Sequence, residues 1–162
     1  MAAGNTYVAI ATNTLGSAAA SVTFSSISGA YTDLVIVFNG VSGSSNNVSL
    51  QFNSDTGSNY SVTRVRGTGS AAESDRWSNI TQMYGSNTDT SGNSNAIWQI
   101  QNYSNSTTYK TAICKGGGAA GEASAYVGLW RSTAAINSVT VIIASTTFST
   151  GSTFSLYGIA AA

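Results

Sequence analysis

Between Ile136 and Ile159 the chain reads INSVTVIIASTTFSTGSTFSLYGI, and the period of its apolar residues leaves little choice of backbone. Val139, Val141 and Ile143 recur at every second position, which puts them on one face of an extended segment, because successive strand side chains point to opposite faces. Ile142 and Ala144 make the other face apolar too, the pattern of a strand covered on both sides. Ser149, Thr150, Gly151 and Ser152 then break the run with turn formers, and Gly151 can take a positive φ without penalty. Beyond them Phe154 and Leu156 share one face, Tyr157 and Ile159 the other. Two such runs about one turn predict a hairpin that closes an all-β core.

The same period recurs along the chain. Val8 and Ile10 mark a first short strand, Val22 and Phe24 a half-buried second. Leu34 to Phe38 is apolar on both faces and rich in β-branched residues. It reads either as a central strand or as one covered by a neighbouring subunit, which makes Val35 and Val37 candidate interface residues. Val48, Leu50 and Phe52 alternate with polar residues, Asn53 to Asn59 reads as a turn, and Tyr60 to Arg66 returns as the partner strand. Residues 67–95 read as a long polar loop with one short strand candidate at Ile80 to Tyr84. Ala96 to Ile100, Tyr109 to Cys114 and Ala123 to Trp130 resume the sheet, with Gly116, Gly117 and Gly118 expected as a flexible bend. About nine or ten short strands and no convincing helix predict an antiparallel β-sandwich of jelly-roll type, one domain spanning residues 1–162.

Charge narrows the function classes. Only 7% of residues are charged, against about 25% in ordinary soluble proteins, and the formal net charge is zero. A chain kept soluble by Ser, Thr, Asn and Gln lacks the basic face that nucleic-acid binding requires. Near-zero net charge favours association instead. No apolar run approaches the roughly 20 residues that would span a membrane, and no Sec-type leader is expected at the start. With no histidine and the single Cys114, zinc and other soft-ligand metal sites are not expected, nor is any other cofactor. Cys114 reads as a small buried hydrophobe.

Few residues invite chemistry. Glu73 and Asp75 would point the same way on an extended segment, about 6–7 Å apart at two residues of strand rise, but a solvated loop offers nothing to raise one pKa. No catalytic residues are expected and the protein reads as a non-enzyme. Arg64 and Arg66 share a strand face and read as a solvated sheet edge, or alternatively as half of a salt bridge across an interface. Trp77, Tyr84, Tyr103 and Trp130 could form an aromatic platform for sugars, with Trp77 expected as an interface anchor on the polar loop.

Three stretches carry a family resemblance: Leu15 to Ser28 with Tyr31 to Val35, LQFNSDTGSNYS from Leu50 to Ser61, and the ending GSTFSLYGI. Together they resemble small structural proteins in the virions of tailed bacteriophages, particularly those of cyanobacterial and marine phages. The resemblance covers the two ends and the middle and is weak from about 67 to 121. It implies a jelly-roll-like component of the virion surface, made in the host cytoplasm. The expected role is capsid decoration or cementing, as a homo-oligomer (a trimer by analogy) that binds the major capsid protein or other virion proteins. The alternative is a receptor-binding or tail-fibre-associated module that contacts host glycans.

Overall fold

The computed structural model describes residues 6–119 and 121–160. Among them the chain forms twelve strands and no helix: β1 (Tyr7–Thr14), β2 (Ser21–Phe24), β3 (Asp33–Gly40), β4 (Asn47–Phe52), β5 (Tyr60–Gly67), β6 (Ala72–Ile80), β7 (Met83–Asn87), β8 (Ser94–Ile100), β9 (Lys110–Gly118), β10 (Ala123–Trp130), β11 (Val139–Ile143) and β12 (Thr153–Ile159). They pair into an eight-stranded sheet, ordered β1-β12-β3-β8-β9-β10-β5-β6, and a four-stranded sheet, ordered β2-β11-β4-β7. All pairs are antiparallel. The two sheets pack as a jelly-roll-like β-sandwich, as the alternation predicts.

Each strand supplies the core from alternate positions. Leu34, Ile36 and Phe38 of β3 are wholly buried, as are Trp98 of β8, Val139 and Val141 of β11 and Phe154 of β12. β3 is a central strand, with β12 on one side and β8 on the other. β7 lies close over the inner face of the large sheet, and glycines make the room. A Cβ on Gly128 would collide with the Met83 side chain, and one on Gly85 with the Trp98 ring.

The last two strands do not form the predicted hairpin. β11 lies between β2 and β4 in the small sheet, and β12 lies between β1 and β3 in the large one. The connection from 144 to 152 is too long for a tight hairpin and carries Phe148, whose backbone bridges to Ala19 and Ser42 and whose ring is fully buried. Gly151 does take the expected positive φ of 86°, and its N–H donates to Leu15 O at 2.8 Å. The turn is right; the strands it joins belong to opposite layers.

The polar segment 67–95 is not a long loop. It holds β6 and β7, separated by two residues. Glu73 and Asp75 of β6 point to the same side as Arg64 and Arg66 of β5 and pair with them. Charge pairing there substitutes for apolar burial, so the strand lacks the apolar signal by which strands are read.

Asn53 to Asn59 forms the corner between β4 and β5, and its side chains explain its sequence. Asn53 and Ser54 both take positive φ, which Asn tolerates because its side chain bonds locally. Asn53 Oδ1 accepts from the N–H of Asn137 at 2.9 Å, and its Nδ2 donates to Ala135 O at 2.8 Å, tying the corner to the start of β11. Asp55 accepts from Trp130 Nε1 at 2.7 Å, Asn59 Nδ2 at 2.9 Å and the Gly57 N–H at 2.8 Å. Burial pushes the Asp55 carboxyl up, but these donors outweigh it and hold it below the ordinary carboxylate range.

A depressed folded-state pKa stabilises the fold above the unfolded value of roughly 4, and that stability is lost as pH falls through the depressed value. Asp55→Ala should therefore cost about 1.5–3 kcal/mol at pH 7, the usual loss for a charged hydrogen bond whose donor stays buried. Urea unfolding of both proteins from pH 7 to pH 2 checks it. The gap between them should narrow on the acid side, and a constant gap would show that the charge plays no part.

Candidate functional site

Because the strands of the large sheet are in register, its outward side chains form rows that cross it. One row runs Ser155, Val37, Ile97, Lys115, Ala125, Val65, Ser74, from β12 to β6. The next runs Tyr157, Val35, Gln99, Ile113, Val127, Thr63, Arg76. Neither row is covered by the small sheet, which packs on the opposite face. Val65 and Val127 are each 56% exposed, Ile97 44% and Ile113 37%. These β-branched residues on four neighbouring strands leave a continuous apolar patch in water, the surface feature that most often marks a contact.

A third row gives the patch its relief. From Asn95 on β8 it continues through Gly117, Ala123, Gly67 and Ala72 on β9, β10, β5 and β6, and these four have almost no side chain. The step from the Ile97–Lys115–Ala125–Val65 row to this bare row forms a shallow concavity of about 960 Å³. Two turns follow the bare row in the chain. Gly69 (φ 83°) lies in the β5–β6 turn, sealed by the Thr68 N–H on Ala71 O at 3.0 Å. Gly121 (φ 97°) lies in the β9–β10 turn, its N–H on Gly118 O at 3.0 Å.

Of the residues singled out in the sequence, Val35 and Val37 do lie on this face. Val35, however, is only 6% exposed and Val37 is half-buried, flanked in register by Tyr157, Gln99, Ser155 and Ile97. The open apolar surface is shifted towards β9, β10 and β5. Arg64 and Arg66 are elsewhere. They face inward on a strand flanked by β10 and β6, which corrects the solvated edge, and they find acids in their own chain. Arg64 Nε donates to Asp75 Oδ2 at 3.1 Å, and Glu73 Oε2 lies 3.9 Å from its terminal nitrogen. Arg66 Nε donates to Glu73 Oε2 at 2.7 Å and its Nη1 to Glu122 Oε2 at 3.0 Å. Burial pulls the Arg64 guanidinium down, and the Asp75 hydrogen bond outweighs it. These charges form a ladder that locks β6 to β5; Glu73 and Asp75 belong to it and not to a solvated loop.

Trp77 lies on a strand and not on a polar loop. It sits half-buried on β6 against the core, edge-on to Tyr84 at 5.6 Å between centroids and with the Arg64 guanidinium 5.2 Å above its ring. Tyr103 and Trp130 are buried, so the four aromatics do not assemble into an exposed platform. Cys114 is buried and its thiol is pushed up to about 12 by that burial, which suppresses the thiolate. Among the described residues no three His, Cys, Asp or Glu side chains gather as a metal set.

Beyond Val35 and Val37, sequence reasoning misses the exposed part of this face, although a signal is present. Ile97, Ile113 and Val127 each stand between core residues of the same strand, so three strands adjacent in the chain are apolar on both faces. By fold, the protein is an all-β sandwich of jelly-roll type with one open apolar sheet face. No family model matches the chain, and no curated protein matches it.

Proposed function

We propose that this protein is a structural component of a bacteriophage virion, a decoration or cement protein that stabilises the head by docking its open sheet face on capsid subunits. The observation that carries the reading is the apolar outer face of the large sheet, with Val65, Val127, Ile97 and Ile113 left in water by their own chain. A chain with 7% charged residues has little electrostatic repulsion to keep such a face free. The virion assignment draws on the resemblance of its two ends and its centre to phage structural proteins. In this role it is no enzyme; its work is mechanical, the burial of apolar area between subunits, in copies grouped by three.

Cryo-electron microscopy of phage particles that contain the protein tests this. Its sandwich should appear in threes over the head lattice, the eight-stranded sheet turned towards the capsid. Density confined to the tail tip would favour host attachment instead, and absence from the particle would overturn the reading.

A further inference from the structure

We propose that the occupant of the outer face is an extended acidic segment of a different protein, held between Lys115 and Arg76. This rests on reading that face as a docking surface and adds the chemistry of the partner. Lys115 projects from the apolar row between Ile97 and Ala125, and its side-chain ammonium has no hydrogen-bond or ion-pair partner among the described residues. Arg76 stands in the neighbouring row, three strands away, with one long contact to Thr63 Oγ1 at 3.5 Å. From strand spacing and rise the two cations are about 15 Å apart, with Ala125, Val65 and Val127 between them.

A second copy of this chain cannot readily supply the matching charges. The chain has six Asp and Glu side chains, and neither outward row of this face carries one, so a copy stacked face to face offers no carboxylate. Glu73, Asp75 and Glu122 take Arg64 and Arg66, Asp55 takes Trp130, Asp33 takes the Asn102 N–H at 2.8 Å and Asp89 the Thr90 N–H at 2.6 Å. Stacking two copies of the face would instead add cation to cation. The complementary ligand carries two carboxylates about 13 Å apart on one side of an extended chain, which is the spacing of residues i and i+4, with an apolar residue at i+2. Each carboxylate would meet one cation, and the apolar side chain would rest on Val65 and Ala125.

The probe is a synthetic peptide with the core Glu-Ser-Val-Ser-Glu, titrated into the ¹⁵N-labelled full chain and followed by amide shifts. Shifts should centre on Val65, Ile97, Lys115 and Ala125. The peptide with both Glu replaced by Gln should bind about five- to tenfold more weakly, as loss of two exposed ion pairs implies. Lys115→Glu should weaken the acidic peptide by a similar factor while leaving the unfolding midpoint in place. Equal binding of the Gln peptide, shifts elsewhere on the surface, or preference for phosphatidylserine vesicles over the peptide would overturn the inference. So would a self-association that Val127→Asp abolishes, because the occupant would then be a second copy. Failure here with the protein present on phage heads leaves the virion reading standing; selective peptide binding by a protein absent from particles does the reverse.

Discussion

Truncating Phe154 to alanine should destabilise the fold by about 3–5 kcal/mol, the usual loss for a wholly buried aromatic. Its ring meets Phe148 at 4.9 Å and Phe38 at 5.2 Å between centroids, and all three are fully buried. The three come from β12, from the connection that crosses between the sheets, and from β3. The cluster therefore fixes the crossing as well as filling the core. Phe148→Ala should cost a similar amount although Phe148 lies in no strand, and Leu156→Ala about 2–5 kcal/mol. Because the rings touch, the Phe148→Ala, Phe154→Ala double variant should lose less than the sum of the two. In a domain this size each kcal/mol lowers the melting temperature by roughly 2–4 °C, so each phenylalanine variant should melt at least about 6 °C lower. Unchanged midpoints for Phe154→Ala and Leu156→Ala would mean that β12 is not part of the core.

Strands are legible in this sequence wherever one face is apolar and the other polar. Val22 with Phe24, Val48 with Leu50 and Phe52, and Phe154 with Leu156 are all buried as their alternation implies. Connectivity is less legible, since alternation tells which face a residue occupies and nothing about the sheet that holds it. The pairing of β11 with β12 fails for that reason: each alternates correctly, yet Phe148 carries the chain from one layer to the other. β6 escapes sequence reading for a different reason. Glu73, Asp75 and Trp77 do alternate with Ser74, Arg76 and Ser78, but both faces are polar, and only the arginines of β5 reveal which is inside. The open apolar face is half visible in Val35 and Val37. Its exposed part lies on β8, β9, β10 and β5, and sequence cannot say which of two apolar faces a second sheet will cover.

Gly116, Gly117 and Gly118 show how a composition cue can point the wrong way. Glycines in a row suggest a flexible bend, but these are the last three residues of β9, paired to Ala96, Asn95 and Ser94 on β8 and, for Gly116 and Gly117, to Ser124 and Ala123 on β10. What the run provides is absence of side chain. A Cβ on Gly116 would overlap the backbone oxygen of Asn95 and stand 2.5 Å from Ser86 Cβ. A backbone carbonyl inside a sheet cannot rotate away as the end of a side chain can, so the strand itself must shift. Gly116→Ala should cost about 1–3 kcal/mol, the range for overpacking a dense interior, and Gly116→Val more, against the gain an alanine or valine usually brings to a strand. Gly16 gives the control. A methyl group there would meet nothing within 4 Å and its φ is not positive, so Gly16→Ala should leave the midpoint unchanged or raise it slightly. Guanidinium titrations of the three variants against the parent decide between the two roles. If Gly116→Ala is as stable as the parent, β7 does not press on β9 at Ser86, and the close seat of the small sheet on the large one is wrong at that point.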